Sequence, residues 1–144
     1  MLQEVFNHLP YKRPFLFVDH FEKINDEECI GSYTFREDEF FYEGHFPGKP
    51  VTPGVILTEA AAQIGLVGMG IYFLLQDGSV EDAFPVFSSS QMDFLLPVYP
   101  GESIKVIATK EYFRFGKLKS KVKILNSKDE KVGEGYLSGF ISKN

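Results

Sequence analysis

Gly44-His45-Phe46-Pro47-Gly48-Lys49-Pro50-Val51-Thr52-Pro53-Gly54 runs straight into Val55-Ile-Leu-Thr-Glu59-Ala-Ala-Ala-Gln63-Ile-Gly-Leu-Val-Gly-Met-Gly-Ile-Tyr-Phe-Leu-Leu75. Thr52-Pro53 is a helix-start signal, because threonine caps a first turn and the fixed φ of proline suits the first helical position. The apolar run that follows, to about Leu75, is long enough to span a bilayer. Glu59 and Gln63 inside the run, glycines at 65, 68 and 70, and no cationic flank beyond Lys49 argue against membrane insertion. A helix that is apolar all round in a water-soluble chain is a buried one, so other elements must wrap it.

Working outward, the wrapping elements are strands. Leu2 to Leu9 reads as a short helix, and Pro10 and Pro14 turn the chain into a strand from Phe15 to Ile24. Asn25-Asp26-Glu27 is a turn, Glu28 to Phe35 returns as a second strand, and Phe40 to Val51 is an ordered loop. After Asp77-Gly78 come Phe84 to Leu96, Ser103 to Phe115, Lys117 to Leu125 and Val132 to Ile141, which read as an antiparallel meander with turns at Pro97 to Glu102 and Asn126 to Glu130. The expected architecture is α+β, one curved antiparallel sheet around one long central helix, with the glycines letting helix and sheet approach closely.

A chain of 144 residues, with 44% hydrophobic and 24% charged residues, fits one domain spanning residues 1–144. The single cysteine, Cys29, has no internal partner, and the N-terminus lacks the basic start and apolar run of a secretory signal, so a mature cytoplasmic protein is expected. A net charge of -5 opposes general attraction to nucleic acid or anionic lipid. Neither repeat nor low-complexity linker divides the chain.

Three groups near the helix start carry chemistry. His45 lies in a loop stiffened by proline and bracketed by glycines, where a held imidazole is a usable base at neutral pH. The alternative is a packed loop histidine bonded to a carbonyl. Glu59 stands in the second turn of an otherwise apolar helix, where burial should raise its pKa and make it a general acid. Its competing explanation, a charge favoured by the helix dipole, belongs mainly to the first turn. Gln63, four residues on and on the same face, is placed to bond either the Glu59 carboxyl or backbone.

The Gly54 N–H is the third group, an oxyanion donor at the positive end of the helix unless the Thr52 hydroxyl caps it or Val55. A base, an acid and a carbonyl-polarising donor together meet the needs of water elimination from a β-hydroxyacyl thioester. No metal cluster, phosphate-binding glycine loop or nucleophilic serine motif competes, and the chemistry needs no cofactor.

Leu9-Pro10-Tyr-Lys-Arg-Pro-Phe-Leu-Phe-Val-Asp19, Gly44-His45-Phe-Pro-Gly48-Lys-Pro-Val-Thr-Pro-Gly54, Glu59-Ala-Ala-Ala-Gln63 and Leu96-Pro97-Val-Tyr-Pro-Gly101-Glu resemble, in the same order and over nearly the whole chain, the FabZ-type β-hydroxyacyl-acyl-carrier-protein dehydratases. The resemblance implies a hotdog fold and a homodimer with shared active sites, in which His45 faces Glu59 of the partner chain; family members often assemble further as trimers of dimers. It implies dehydration of (3R)-hydroxyacyl thioesters, carried on the phosphopantetheine arm of acyl carrier protein, to trans-2-enoyl thioesters. His45 and Glu59 would be catalytic, and Phe46, Pro53, Gly54, Val55 and Gln63 would contact substrate. The related dehydratase-isomerases carry aspartate where Glu59 stands, so isomerisation is not expected.

Where the family usually has basic residues, this chain reads Gln91-Met-Asp93-Phe-Leu-Leu96. Pigment or other specialised lipid synthesis therefore fits as well as housekeeping fatty-acid elongation. Lys117, Lys119, Lys121 and Lys123 alternate along one strand, either as a carrier-docking stripe or as an ordinary solvated face. Lys12, Arg13 and Lys49 are further docking candidates, and Tyr72, Phe73, Phe84, Phe87 and Phe94 are candidates to line an acyl channel. A hotdog thioesterase, directing water at the thioester carbonyl, and a non-catalytic acyl-carrier-binding subunit remain the alternatives.

Overall fold

The computed structural model describes residues 1–143. Its centre is a continuous helix, Gly54–Asp77, that is apolar and long enough to cross a membrane but has most of its residues buried by the protein itself. Around it curves one six-stranded antiparallel sheet made of β1 (His20–Ile24), β2 (Glu28–Thr34), β3 (Ala83–Phe94), β4 (Ser103–Arg114), β5 (Lys117–Asn126) and β6 (Lys131–Lys143). A short helix, Leu2–Asn7, buries Val5, and one turn of 3-10 helix, Phe40–Glu43, precedes the His45 loop.

The central helix is not uniform. Gln63–Gly68 is π-helical between two α-helical halves, a widened stretch that leaves carbonyls without the usual partners four residues on. The sheet supplies them: the Ser120 hydroxyl donates to the Gly65 carbonyl at 2.8 Å and the Cys29 thiol to the Ile64 carbonyl at 3.3 Å. Close approach is why glycine stands here. A Cβ on Gly65 would lie 2.9 Å from the Ala108 methyl, and one on Gly68 would lie 2.6 Å from the Phe21 ring. At the far end Gly78 takes the left-handed conformation, φ 78°, that closes a helix.

The inner face of the sheet, Ile104, Val106, Ala108, Leu118, Val122, Ile124 and Leu137, packs against Ile64, Leu66, Val67, Met69 and Ile71 of the helix in one core. The outward positions of β5 are Lys117, Lys119, Lys121 and Lys123, alternating with buried Leu118, Ser120, Val122 and Ile124. The ammonium groups of Lys119 and Lys121 lie 5.2 and 6.0 Å from the Tyr136 ring centre, and that of Lys117 lies 5.7 Å from Phe140.

Three expectations are corrected. The last four strands are not a simple meander: β4, β5 and β6 follow one another, but β3 pairs with β6, giving the order β1-β2-β4-β5-β6-β3. The link after β3 is pinned to the end of β2, with Phe35 N–H on the Glu102 carbonyl and Gly101 N–H on the Phe35 carbonyl, and so delivers β4 to β2. The first strand starts at His20 rather than Phe15, because the Phe15 carbonyl and the Phe17 N–H are bonded to the Gln63 side chain instead of a neighbouring strand. The helix starts one residue later than expected: Pro53 is the N-cap, and the Thr52 hydroxyl pairs with the Tyr42 hydroxyl at 2.6 Å.

As an edge strand, β3 leaves one side unpaired and exposes Phe84, Val86, Phe87 and Phe94. A long, apolar, unpaired edge is a surface that natural proteins cover.

Candidate active site

Glu59 sits one turn before the π-helical stretch, on the helix face that looks toward β3 and β6. It borders a cavity of about 250 Å³ whose other lining residues include Tyr11, Ala62, Leu66, Val67, Pro85, Phe87 and Ile141. Burial in these apolar surroundings pushes the Glu59 pKa up, and the hydrogen bond from Gln63 opposes the shift without cancelling it. A carboxyl group so placed keeps its proton to higher pH than an ordinary glutamate, as a general acid requires.

Gln63 holds that carboxyl and resolves the two alternatives by doing both jobs. Its Nε2 donates to Glu59 Oε2 at 3.0 Å and to the Phe15 carbonyl at 2.9 Å, while its Oε1 accepts the Phe17 N–H at 2.8 Å. The amide is fully buried. One side chain therefore fixes the carboxyl orientation and stitches the segment before β1 onto the helix.

His45 is held differently. Its Nδ1 lies 2.9 Å from the Val51 carbonyl, and the loop is closed by Val51 N–H on the His45 carbonyl and Lys49 N–H on the Phe46 carbonyl. A carbonyl only accepts, so Nδ1 must carry the hydrogen in this contact, and the lone pair of a neutral ring is left on Nε2. The Phe46 ring stacks on the imidazole at 4.3 Å and is itself exposed.

Within one chain His45 does not line the Glu59 cavity. The structure thus brings Glu59 and Gln63 together and leaves His45 on its own loop.

At the helix start no side chain among the described residues caps the first turn; Pro53 contributes its carbonyl to the N–H groups of Ile56 and Leu57. Because the Thr52 hydroxyl is taken by Tyr42, it does not cap Gly54 or Val55. Gly54 faces the Phe94 ring, 3.1 Å from where a Cβ would sit, in a second hollow of about 390 Å³ with Leu57, Leu96 and Pro97. Val55 beside it is 76% exposed, an unusual position for a valine and a ready contact for a bound molecule.

Of the aromatic residues expected along an acyl channel, Phe87 lines the cavity. Tyr72 instead donates its hydroxyl to Asp26 and Phe73 stacks on Phe113, while Phe84 lies outside the lining. Arg13, read as a docking residue, is engaged internally with the Tyr33 hydroxyl at 3.2 Å and Asp19 at 3.7 Å. Tyr11 was not expected at the site; it packs against the core, in the segment that leads to the Gln63-bonded backbone of Phe15 and Phe17.

The FabA-like domain family model matches residues 9–132. The FabZ 3-hydroxyacyl-acyl-carrier-protein dehydratase of Geobacter metallireducens is 34% identical over 107 residues, covering 73% of this chain and 69% of the relative. Its counterpart from Nitratidesulfovibrio vulgaris (strain Miyazaki F) is 38% identical over 108 residues, covering 73% and 68%. Among solved structures, the dehydratase heterocomplex ApeI:P from Xenorhabdus doucetiae superposes with a TM-score of 0.82 at 12% identity, covering 97% of this chain and 91% of that one. A mutant thioesterase from Pseudomonas aeruginosa gives 0.69 at 10% identity, covering 100% and 95%. At such identities the two structures speak for the shared fold alone.

Proposed function

The chain belongs to the FabA-like family, and we propose that it dehydrates (3R)-hydroxyacyl thioesters carried on acyl carrier protein, with Glu59 as general acid and the partner subunit's His45 as general base. The observation that carries this reading is the Glu59 carboxyl: oriented by Gln63, set in an apolar cavity, and held neutral to higher pH than usual. The FabZ relatives, named as 3-hydroxyacyl-acyl-carrier-protein dehydratases, support the reaction class.

The thioester carbonyl accepts a hydrogen bond from the Gly54 N–H at the positive end of the central helix, which acidifies the α-hydrogen. His45 Nε2 removes that proton, and the electron pair moves into the carbonyl as an enolate. As it returns, the Cβ–O bond breaks, Glu59 protonates the departing oxygen, and water and a trans-2-enoyl thioester are left. The imidazolium and the Glu59 carboxylate then reset by net proton transfer through water. No resident cofactor enters; the phosphopantetheine arm belongs to the substrate.

A second copy supplies the histidine. One chain leaves His45 outside the Glu59 cavity and leaves β3 as an unpaired apolar edge, and pairing β3 with its own copy covers that edge. The lines of chemistry suit fatty-acid synthesis or a related, specialised acyl pathway in the cytoplasm.

Incubating the protein with 3-hydroxyacyl-pantetheine thioesters, and following enoyl absorbance against free thiol, tests the reading. Enoyl product without thiol is the expected result. Thiol without enoyl indicates a thioesterase, and neither product indicates a binding subunit.

A further inference from the structure

Among the described residues, only two side chains lining the Glu59 cavity carry polar atoms, Glu59 and Tyr11; the rest are aliphatic, aromatic, proline or glycine. We propose that Tyr11 is a further catalytic residue, whose phenol donates a hydrogen bond to the β-hydroxyl oxygen of the substrate as that oxygen leaves under protonation by Glu59. The proposal rests on the dehydratase reading and adds a third group to it.

The hydroxyl is available for this task. The buried tyrosines spend theirs inside the protein: Tyr33 on Glu39 at 2.5 Å, Tyr42 with Thr52 at 2.6 Å and Tyr72 on Asp26 at 3.1 Å. Tyr11 packs its ring against the core, yet its hydroxyl has no hydrogen-bond partner among the described residues. Glu59 is likewise half committed, with Oε2 bonded to Gln63 and Oε1 unbonded among the described residues. An oxygen entering between them meets one proton donor that transfers and one that only points.

Position and protonation both suit that division of labour. Phe15 N–H bonds the Lys12 carbonyl, and Gln63 bonds backbone at Phe15 and Phe17, so the amide that orients Glu59 also fixes the segment bearing Tyr11. Burial, and then the negative charge of Glu59, hold the phenol well above its ordinary pKa, so it remains a neutral donor. When the Cβ–O bond lengthens, negative charge gathers on the oxygen before the proton has fully arrived, and a preset donor stabilises it there. Tyr11 neither gains nor loses a proton over the cycle.

Tyr11→Phe removes one oxygen that bonds none of the described residues, so folding and thermal midpoint should be unchanged. On a 3-hydroxyacyl-pantetheine thioester the variant is expected to lose kcat by about ten- to a hundredfold, with KM little altered. On the matching 3-chloroacyl thioester, whose chloride leaves without a proton, wild type and variant should eliminate at similar rates. Wild-type kcat on the hydroxyl substrate, or an equal loss on both substrates, overturns the proposal. A wild-type chain that makes no enoyl product removes the dehydratase reading itself, which is a distinct result.

Discussion

Glu59 and His45 are both held by hydrogen bonds, but from different distances along the chain. Glu59 is oriented by Gln63, which reaches back to Phe15 and Phe17 and is fully buried, so the acid depends on tertiary structure. His45 is oriented by Val51 and by a loop that closes on itself within a few residues, so the base depends on local structure. The contrast teaches that the acid half should be fragile and coupled to folding, whereas the base half should tolerate change without unfolding the protein.

Removing the two proposed reacting groups should give the largest effect and tests whether both halves belong to one site. His45→Ala and Glu59→Gln should each lower kcat for dehydration by ~10²–10⁴ while the far-ultraviolet circular dichroism is unchanged. Near-normal turnover in either variant breaks the comparison at its base.

Gln63→Leu should separate the halves. It leaves the buried Phe17 N–H without a partner, at about 1–3 kcal/mol, and frees the part-buried Phe15 carbonyl at less than that, so urea denaturation should show a loss of roughly 1–4 kcal/mol together with falling kcat. A variant as stable as wild type contradicts the tertiary account of the acid.

The pH dependence of stability sharpens the same point. The Glu59 carboxyl is harder to ionise in the folded chain than in the unfolded one, so the folded state keeps the proton longer. Its burial therefore weakens stability as pH rises from the ordinary value of 4.5 through the raised value, with no further change above it. Glu59→Gln does not titrate, so the variant should gain on wild type across that window and hold a constant lead beyond it. A difference that is flat with pH would contradict the buried-acid assignment.

The smallest effect belongs to the local half. Phe46→Ala removes an exposed ring stacked on His45, and should change unfolding free energy by less than about 1 kcal/mol while lowering kcat a few-fold. Marked destabilisation would show that the loop is more than locally held.

Much of this was legible in the sequence, and what was not has a common cause. The long buried helix and the strands after it carry local signals in their periodicity, and Glu59 and Gln63 stand out as polar residues in an apolar run. What escaped depends on partners distant in the chain. The Phe15–Asp19 stretch reads as strand, but Gln63 claims its backbone groups. Thr52 reads as a cap, but Tyr42 takes its hydroxyl. β3 lies beside β6 and not β4, a pairing that no turn between neighbouring strands announces. Tyr11 joins the cavity by packing against a core built from residues far along the chain. The π-helical register at Gln63–Gly68 also lies outside what an apolar run with glycines can specify.

The most direct test of the account is complementation between two inactive variants. His45→Ala and Glu59→Gln chains, mixed and allowed to exchange subunits, form hybrid dimers in which one of the two sites has both an intact His45 and an intact Glu59 from opposite chains. With statistical exchange the mixture should recover about a quarter of wild-type kcat per chain. A mixture that stays inactive, although subunit exchange is demonstrated, would contradict a site shared between protomers.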